Sequence, residues 1–389
     1  MIRDGVLVLM ERGPKPKNTS AAASTNSAAA NAAPRLPDES VRGFDAATGR
    51  ELWRTNYPCD TPAEGHNYYW GSCATPAGVT GRAVCQFLDG KVRCLALKSG
   101  ELLWETDMAA EYGMTKKGGE TIFQACSSPL VAGDLVIVEV CAGEVGLVAL
   151  RAADGKEAWR TPVFSNYGSS TGSMKIGDRQ VVIAMPCYVD RKLFKGGDVL
   201  GFDAQSGELV WWGNAEKSYY NAPAPIANEG IVVVEGGSGD GPTYAFAPPA
   251  TGAGPATNLW RDADHLARFS NYLVYRGLVF GQGFHAHPRP AIGKRLFCLD
   301  ASTGAAQWDQ PVKEQHHSMI GSDGKVLQFH ENGELSLFDA DARAGYRELA
   351  RARVVAQTGK TWSFPALVRG KFYVRTDGEL VCLDLAVGR

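Results

Sequence analysis

The stretch VRGFDAATGRELW, residues 41–53, sets an apolar run, an aspartate, a tight turn closing in Thr-Gly, and a tryptophan four residues beyond that glycine. The same order returns as VRCLALKSGELLW (92–104), GLVALRAADGKEAW (146–159), VLGFDAQSGELVW (199–211) and RLFCLDASTGAAQW (295–308). Aligned on the turn, the glycines are Gly49, Gly100, Gly155, Gly207, Gly252, Gly304, Gly345 and Gly388, at intervals of 41 to 55 residues. The chain is an internal repeat, and the copies around Gly252 and Gly345 are degenerate, the first by insertion and the second by loss of the tryptophan.

A period of this length suits a four-stranded blade better than a pair of helices. Each period reads as strands: DLVIVEV (134–140), RQVVIAM (179–185), GIVVVEG (230–236) and GKFYVRT (370–376) are short β-branched or aromatic runs bounded by Gly and Asp. The expected fold is all-β, an eight-bladed β-propeller of four-stranded antiparallel blades, with residues 1–389 as one domain. Strands A to D of each blade run from the axis outward, and the C-to-D turn needs a left-handed residue that glycine supplies. Trp53, Trp104, Trp159, Trp211, Trp260 and Trp308 fall on strand D and are expected to wedge between neighbouring blades. The turn aspartates Asp45, Asp203, Asp300 and Asp384 are placed to accept backbone N–H bonds.

The pattern in FDAATGRELW and LDASTGAAQW resembles the tryptophan-docking repeat of the quinoprotein, or pyrroloquinoline quinone (PQQ)-like, propeller family, over nearly the whole chain. One branch of that family comprises dehydrogenases. Another is similar to the propeller subunit of the outer-membrane β-barrel assembly machinery and binds without catalysis. The second resemblance implies a periplasmic or extracytoplasmic scaffold that recognises a protein, peptide or saccharide and needs no cofactor. The alternative is a PQQ-dependent dehydrogenase oxidising an alcohol or sugar, with PQQ and calcium in the axial funnel. The chain carries no Cys-Cys pair of the kind many family dehydrogenases place against the quinone, and no catalytic residue is carried over.

Composition narrows the partners. Of 389 residues, 44% are hydrophobic and 21% charged, and the formal net charge of −2 offers no basic footprint for nucleic acid. No apolar run has the length of a membrane span. A monomer is expected. Nine cysteines do not fix the compartment. Cys94, Cys298 and Cys382 share a repeat column with Gly43, Ala149 and Gly201, where a small buried side chain is wanted; Cys59 and Cys73 are a candidate bridge.

Candidate binding residues gather on the loops joining B to C and D to A, which hold the long insertions 12–39 (low-complexity), 54–68, 105–121, 187–197 and 284–293. The A-to-B and C-to-D turns are read as uniformly short. All seven histidines map to the long-loop side. His285, His287, His316, His317 and His330 offer a metal site or a general base; the favoured reading is solvated loop histidines, and the metal is left unknown. Tyr69, Trp70, Tyr219, Tyr220 and Trp362 either line a pocket for a planar ligand or pack the blades. The opening IRDGVLVLMER reads as an A-to-B turn followed by strand B, so the first blade is expected to lack strand A and the last, ending in LVCLDLAVGR, to lack strand D. On that reading a preceding segment would supply the missing strands and an export signal.

Overall fold

The computed structural model describes residues 1–12, 38–58, 74–114, 127–165, 169–190, 192–216, 223–236, 241–267, 270–284, 293–313, 316–341, 345–356, 363–376 and 379–386. Among them the chain is nearly all β, with one short helix, Met108–Tyr112; eight of the nine sheets are the blades of a β-propeller, and the ninth is a small pair, Phe164–Ser165 with Tyr188–Val189. They fall into two compact units, residues 1–163 and 164–389.

In the first unit, blade 1 runs Ile2–Arg3, Val6–Arg12, Glu39–Asp45, Glu51–Tyr57. Blade 2 runs Ala77–Val79, Arg82–Gln86, Lys91–Ala96, Leu102–Asp107, and blade 3 runs Leu130–Ala132, Leu135–Ala142, Val145–Arg151, Glu157–Pro162. Strands B and C have neighbours on both sides and are buried on both faces: seven of the eight residues of Leu135–Ala142 are buried. Strand D buries alternate residues, with Trp104 inside and Leu102, Leu103 and Glu105 outside.

The register explains the tryptophan. Trp53 stands opposite Gly43, Trp104 opposite Cys94 and Trp159 opposite Ala149, with a bulge next to each pair. The ring lies over the strand C residue, so a Cβ built on Gly43 would sit 2.2 Å from Trp53 Cε2. This is the physical reason for the small-residue column. The indoles of Trp53 and Trp104 dock on the corner of the following blade: Trp53 Nε1 donates to the Leu97 carbonyl at 2.9 Å and Trp104 Nε1 to the Ala152 carbonyl at 3.0 Å. Thr55 and Thr106, two residues on, donate to the carbonyls of Gly100 and Gly155. Gly100 is fixed twice over, by a φ of +72° and by Trp53 Cε3 lying 2.4 Å from where a Cβ would be.

In the second unit, blade 4 runs Gly172–Ile176, Arg179–Ala184, Val199–Asp203, Leu209–Gly213, and blade 5 runs Ile226–Asn228, Ile231–Glu235, Thr243–Ala247, Thr257–Asp262. Blade 6 runs Leu273–Tyr275, Leu278–Phe284, Lys294–Asp300, Ala306–Pro311; blade 7 runs His317–Ser322, Lys325–His330, Glu334–Asp339, Glu348–Arg353. Blade 8 has Ala366–Val368, Lys371–Arg375 and Leu380–Asp384. The pairing of Trp with a small residue continues as Trp211 with Gly201, Trp260 with Ala245 and Trp308 with Cys298. In blade 7 the sizes are exchanged, and Leu337 stands opposite Ala350.

The two degenerate copies mark where docking changes. Trp260 Nε1 donates to the Ala301 carbonyl at 2.9 Å, as in the first unit. Trp211 and Trp308, which precede the degenerate copies, have indole N–H groups without a hydrogen-bond acceptor among the described residues. Trp308 packs instead against Phe338 and Tyr346 and is only partly buried.

The turn aspartates behave as read. Asp45 Oδ1 accepts the N–H groups of Ala47 and Thr48 and the Thr48 hydroxyl, and these bonds hold its carboxyl below the usual carboxylate range. Asp203, Asp300 and Asp384 cap their turns in the same way.

Two expectations are corrected, and a third, the missing strand D of blade 8, agrees with the described residues. Blade 1 does not lack strand A: Ile2–Arg3 pairs with Leu7 and Val6, a two-residue strand placed just before the Asp4-Gly5 turn. Blade 8 has three strands among the described residues. The C-to-D connections are not uniformly short, since in blade 5 the insertion contributes Gly254–Pro255, a fifth strand that pairs in parallel with Trp211 and Trp212 of blade 4. Cys85, Cys94, Cys298 and Cys382 are free thiols, and Cys59 and Cys73 lie outside the described residues.

Candidate functional site

In each antiparallel blade the B-to-C and D-to-A connections leave from the same edge. That edge carries the long loops, and the side chains beneath them are the candidate site. Tyr69, Trp70, Tyr219, Tyr220, His285, His287 and Trp362 lie outside the described residues. The structure places His316, His317 and His330.

His317 opens strand A of blade 7 and His330 closes strand B, and the two are direct cross-strand partners. They are not solvated loop histidines: His317 is 5% exposed and His330 2%. Strand ends that face the loops are still buried here, and that burial was invisible in the sequence. His330 Nε2 lies 2.9 Å from the Ser336 hydroxyl. The His317 backbone N–H donates to Ser270 Oγ at 3.4 Å, while its two ring nitrogens have no hydrogen-bond partner among the described residues. Burial first, then the neighbouring imidazoles of His330 and His316, push the His317 pKa down to about 3, so it is a neutral residue. His265 lies in the loop after blade 5, paired with Asp262 through Nδ1 at 2.7 Å. Among the described residues no group of three or more His, Cys, Asp or Glu side chains is arranged to hold a metal.

A second feature was missed by reading letters alone. Two residues past the strand B position that faces the small-residue column, the eight blades carry Met10, Gln86, Glu139, Met185, Glu235, Gln282, Phe329 and Arg375. Gln86, Glu139, Glu235 and Gln282 are each at most 5% exposed. Glu139 Oε2 accepts the Ser127 hydroxyl at 2.8 Å. Glu235 Oε2 accepts the Ala267 N–H and the Tyr272 hydroxyl, both at 2.8 Å. Burial, then Glu235, drives the Tyr272 pKa upward, so the phenol stays protonated. Gln282 Oε1 accepts from Gln328 Nε2 at 2.6 Å, with both residues fully buried. The two glutamates fasten loop segments to strand B, and Gln282 ties strand B of blade 6 to strand B of blade 7. Because the column mixes Met, Gln, Glu, Phe and Arg, only the register reveals it.

Near the loop-side end of blades 1 and 2, Arg93 is 4% exposed between the rings of Tyr57 and Phe87, each 4.4 Å from its guanidinium carbon. Asp89 and Glu105 neutralise it at 2.7 and 2.6 Å. Glu39 Oε2 accepts the Leu88 N–H at 3.0 Å. The arrangement is a charge-neutralised, polar-braced platform at the loop-side end of these blades, a geometry suited to recognition.

Comparison with known proteins agrees with the fold. A curated outer membrane protein assembly factor BamB from Burkholderia pseudomallei is 27% identical over 277 residues, 62% of this chain and 66% of that protein. The chain thus spans just under two thirds of the length of that relative. The crystal structure of BamB from Moraxella catarrhalis superposes with a TM-score of 0.57 at 14% identity, covering 88% of this chain and 87% of that one. Quinohemoprotein alcohol dehydrogenase from Comamonas testosteroni also gives 0.57 at 14% identity, covering 86% of this chain and 67% of the other. At such identities the structural likenesses carry the fold alone. A family model described as outer membrane protein assembly factor BamB matches residues 37–280 and 253–389, and the chain belongs to that PQQ-like propeller family.

Proposed function

We propose that this protein is a binding scaffold whose long-loop edge recognises a protein partner, within the assembly of outer membrane proteins that its relatives are named for, and that it works outside the cytoplasm. Family membership over residues 37–389 is the observation that carries the reading. The geometry supports it: the buried Glu139 and Glu235 of strand B fasten loop segments, Gln282 ties blade 6 to blade 7, and Tyr272 and His317 are held in uncharged forms. Such groups fix the shape of a surface and require no catalytic constellation. A peptide or saccharide on the same edge is the narrower variant of this reading.

The test is site-specific photo-crosslinking in the full chain. A photoreactive residue at His316 or Glu331, on the long-loop edge of blade 7, is expected to capture a purified outer-membrane assembly subunit. One at Arg50 or Lys156, on the opposite turns, is expected not to. Crosslinks from Arg50 and Lys156 alone would overturn the assignment.

A further inference from the structure

The outer edges of the blades are not equivalent. The positions two and one before the strand D tryptophan, or its equivalent, are Glu51 and Leu52, Leu102 and Leu103, Glu157 and Ala158, Leu209 and Val210, Asn258 and Leu259, Ala306 and Gln307, and Glu348 and Leu349. Most edges are guarded by a charged or polar residue, as natural edge strands are. In blade 1 Glu51 is tied to Arg42 and Arg54, in blade 3 Glu157 to Arg160, and in blade 7 Glu348 to Arg351.

Two edges, those of blades 2 and 4, carry an apolar pair instead. In blade 4 the chain itself covers that edge. Gly254–Pro255 lies parallel beside Trp211 and Trp212, the Ala256 N–H donates to the Trp212 carbonyl at 2.7 Å, Val210 falls to 8% exposure and Trp211 to zero. In blade 2 the matching Leu102 and Leu103 stay 44% and 43% exposed, and Trp104 keeps 8%. The bulge falls at the same place in both, between Cys94 and Leu95 and between Gly201 and Phe202. The two edges therefore present the same backbone geometry and the same apolar pair, one covered and one open.

We infer that the outer edge of blade 2 is a second protein-binding site, which takes an extended apolar segment of a partner as an added parallel strand. The segment lies beside Trp104 and Glu105 as Gly254–Pro255 lies beside Trp211 and Trp212, donates a backbone N–H to the Glu105 carbonyl, and covers Leu102 and Leu103 with its side chains. The occupant is defined by the chain's own precedent: a short extended stretch with no charge facing the leucines. This site is separate from the long-loop edge, so either assignment can fail without the other.

The probe is a fluorescein-labelled peptide of alternating valine and threonine flanked by lysines, with a proline-interrupted peptide as control. Saturable anisotropy with the first peptide alone is expected, with amide hydrogen exchange slowed over residues 102–106. Leu103→Lys and, separately, Leu102→Glu change exposed positions, and each is expected to weaken binding by about tenfold or more. His316→Ala, on the long-loop edge, is expected to leave it unchanged. Absence of saturable binding, binding indifferent to both leucine substitutions, or protection elsewhere than 102–106 would overturn the inference. So would a dimer, seen by light scattering, that Leu103→Lys dissociates, because the edge would then belong to a second copy.

Discussion

Replacing Trp104 by alanine tests the docking account where its parts are best separated. The indole is 92% buried, packs in the core with Val84, Val136 and Leu150, and donates to the Ala152 carbonyl at 3.0 Å. Removing a side chain of this size from a core costs about 3 to 5 kcal/mol, and the carbonyl left without its donor places the cost in the upper part of that range. Trp308→Ala is the internal control, since that ring is only partly buried and its N–H has no acceptor among the described residues; a cost of about 1 to 3 kcal/mol is expected. Urea denaturation followed by far-UV circular dichroism gives both values. A cost below about 1 kcal/mol for Trp104→Ala, or a larger one for Trp308→Ala, would refute the idea that the corner hydrogen bond and full burial make the peg.

Two further substitutions follow from the same geometry. Gly49 and Gly100 share a left-handed backbone, but only at Gly100 would a Cβ strike a tryptophan ring. Gly49→Ala is expected to cost about 1 to 2 kcal/mol for the conformation alone, and Gly100→Ala clearly more in the same denaturation assay; equal costs would mean the ring yields freely. His317 is buried neutral with its pKa lowered to about 3, against about 6.5 in the unfolded chain, so its contribution is intact above pH 6.5 and declines as the pH falls toward 3. At pH 5 the loss relative to pH 7 is about 2 kcal/mol, and His317→Gln should remove that difference; parallel pH profiles for the two proteins would contradict it.

The repeat made the fold legible because one column of turn glycines and one of tryptophans recur at blade spacing, and each is a steric requirement. The small-residue column of Gly43, Cys94 and Ala149 was visible as a pattern, but its cause, the opposing indole, needed the register. The candidate site was legible only in outline. His317 and His330 read as loop residues because nothing in the letters marks where a strand ends beneath a loop. Glu235 and Gln282 were passed over because their column holds both apolar and polar residues, and what unites them is burial. The insertion before Trp260 looked like decay of the motif, whereas Gly254–Pro255 serves the neighbouring blade.

The measurement that bears most directly on a binding scaffold, as against a redox enzyme on the same fold, is titration of the purified chain with pyrroloquinoline quinone and calcium. Absorbance and tryptophan fluorescence would be followed, and an alcohol or an aldose then added with an electron-accepting dye. A binding scaffold is expected to give no saturable spectral change and no dye reduction. A saturable, calcium-dependent shift followed by substrate-dependent dye reduction would contradict it.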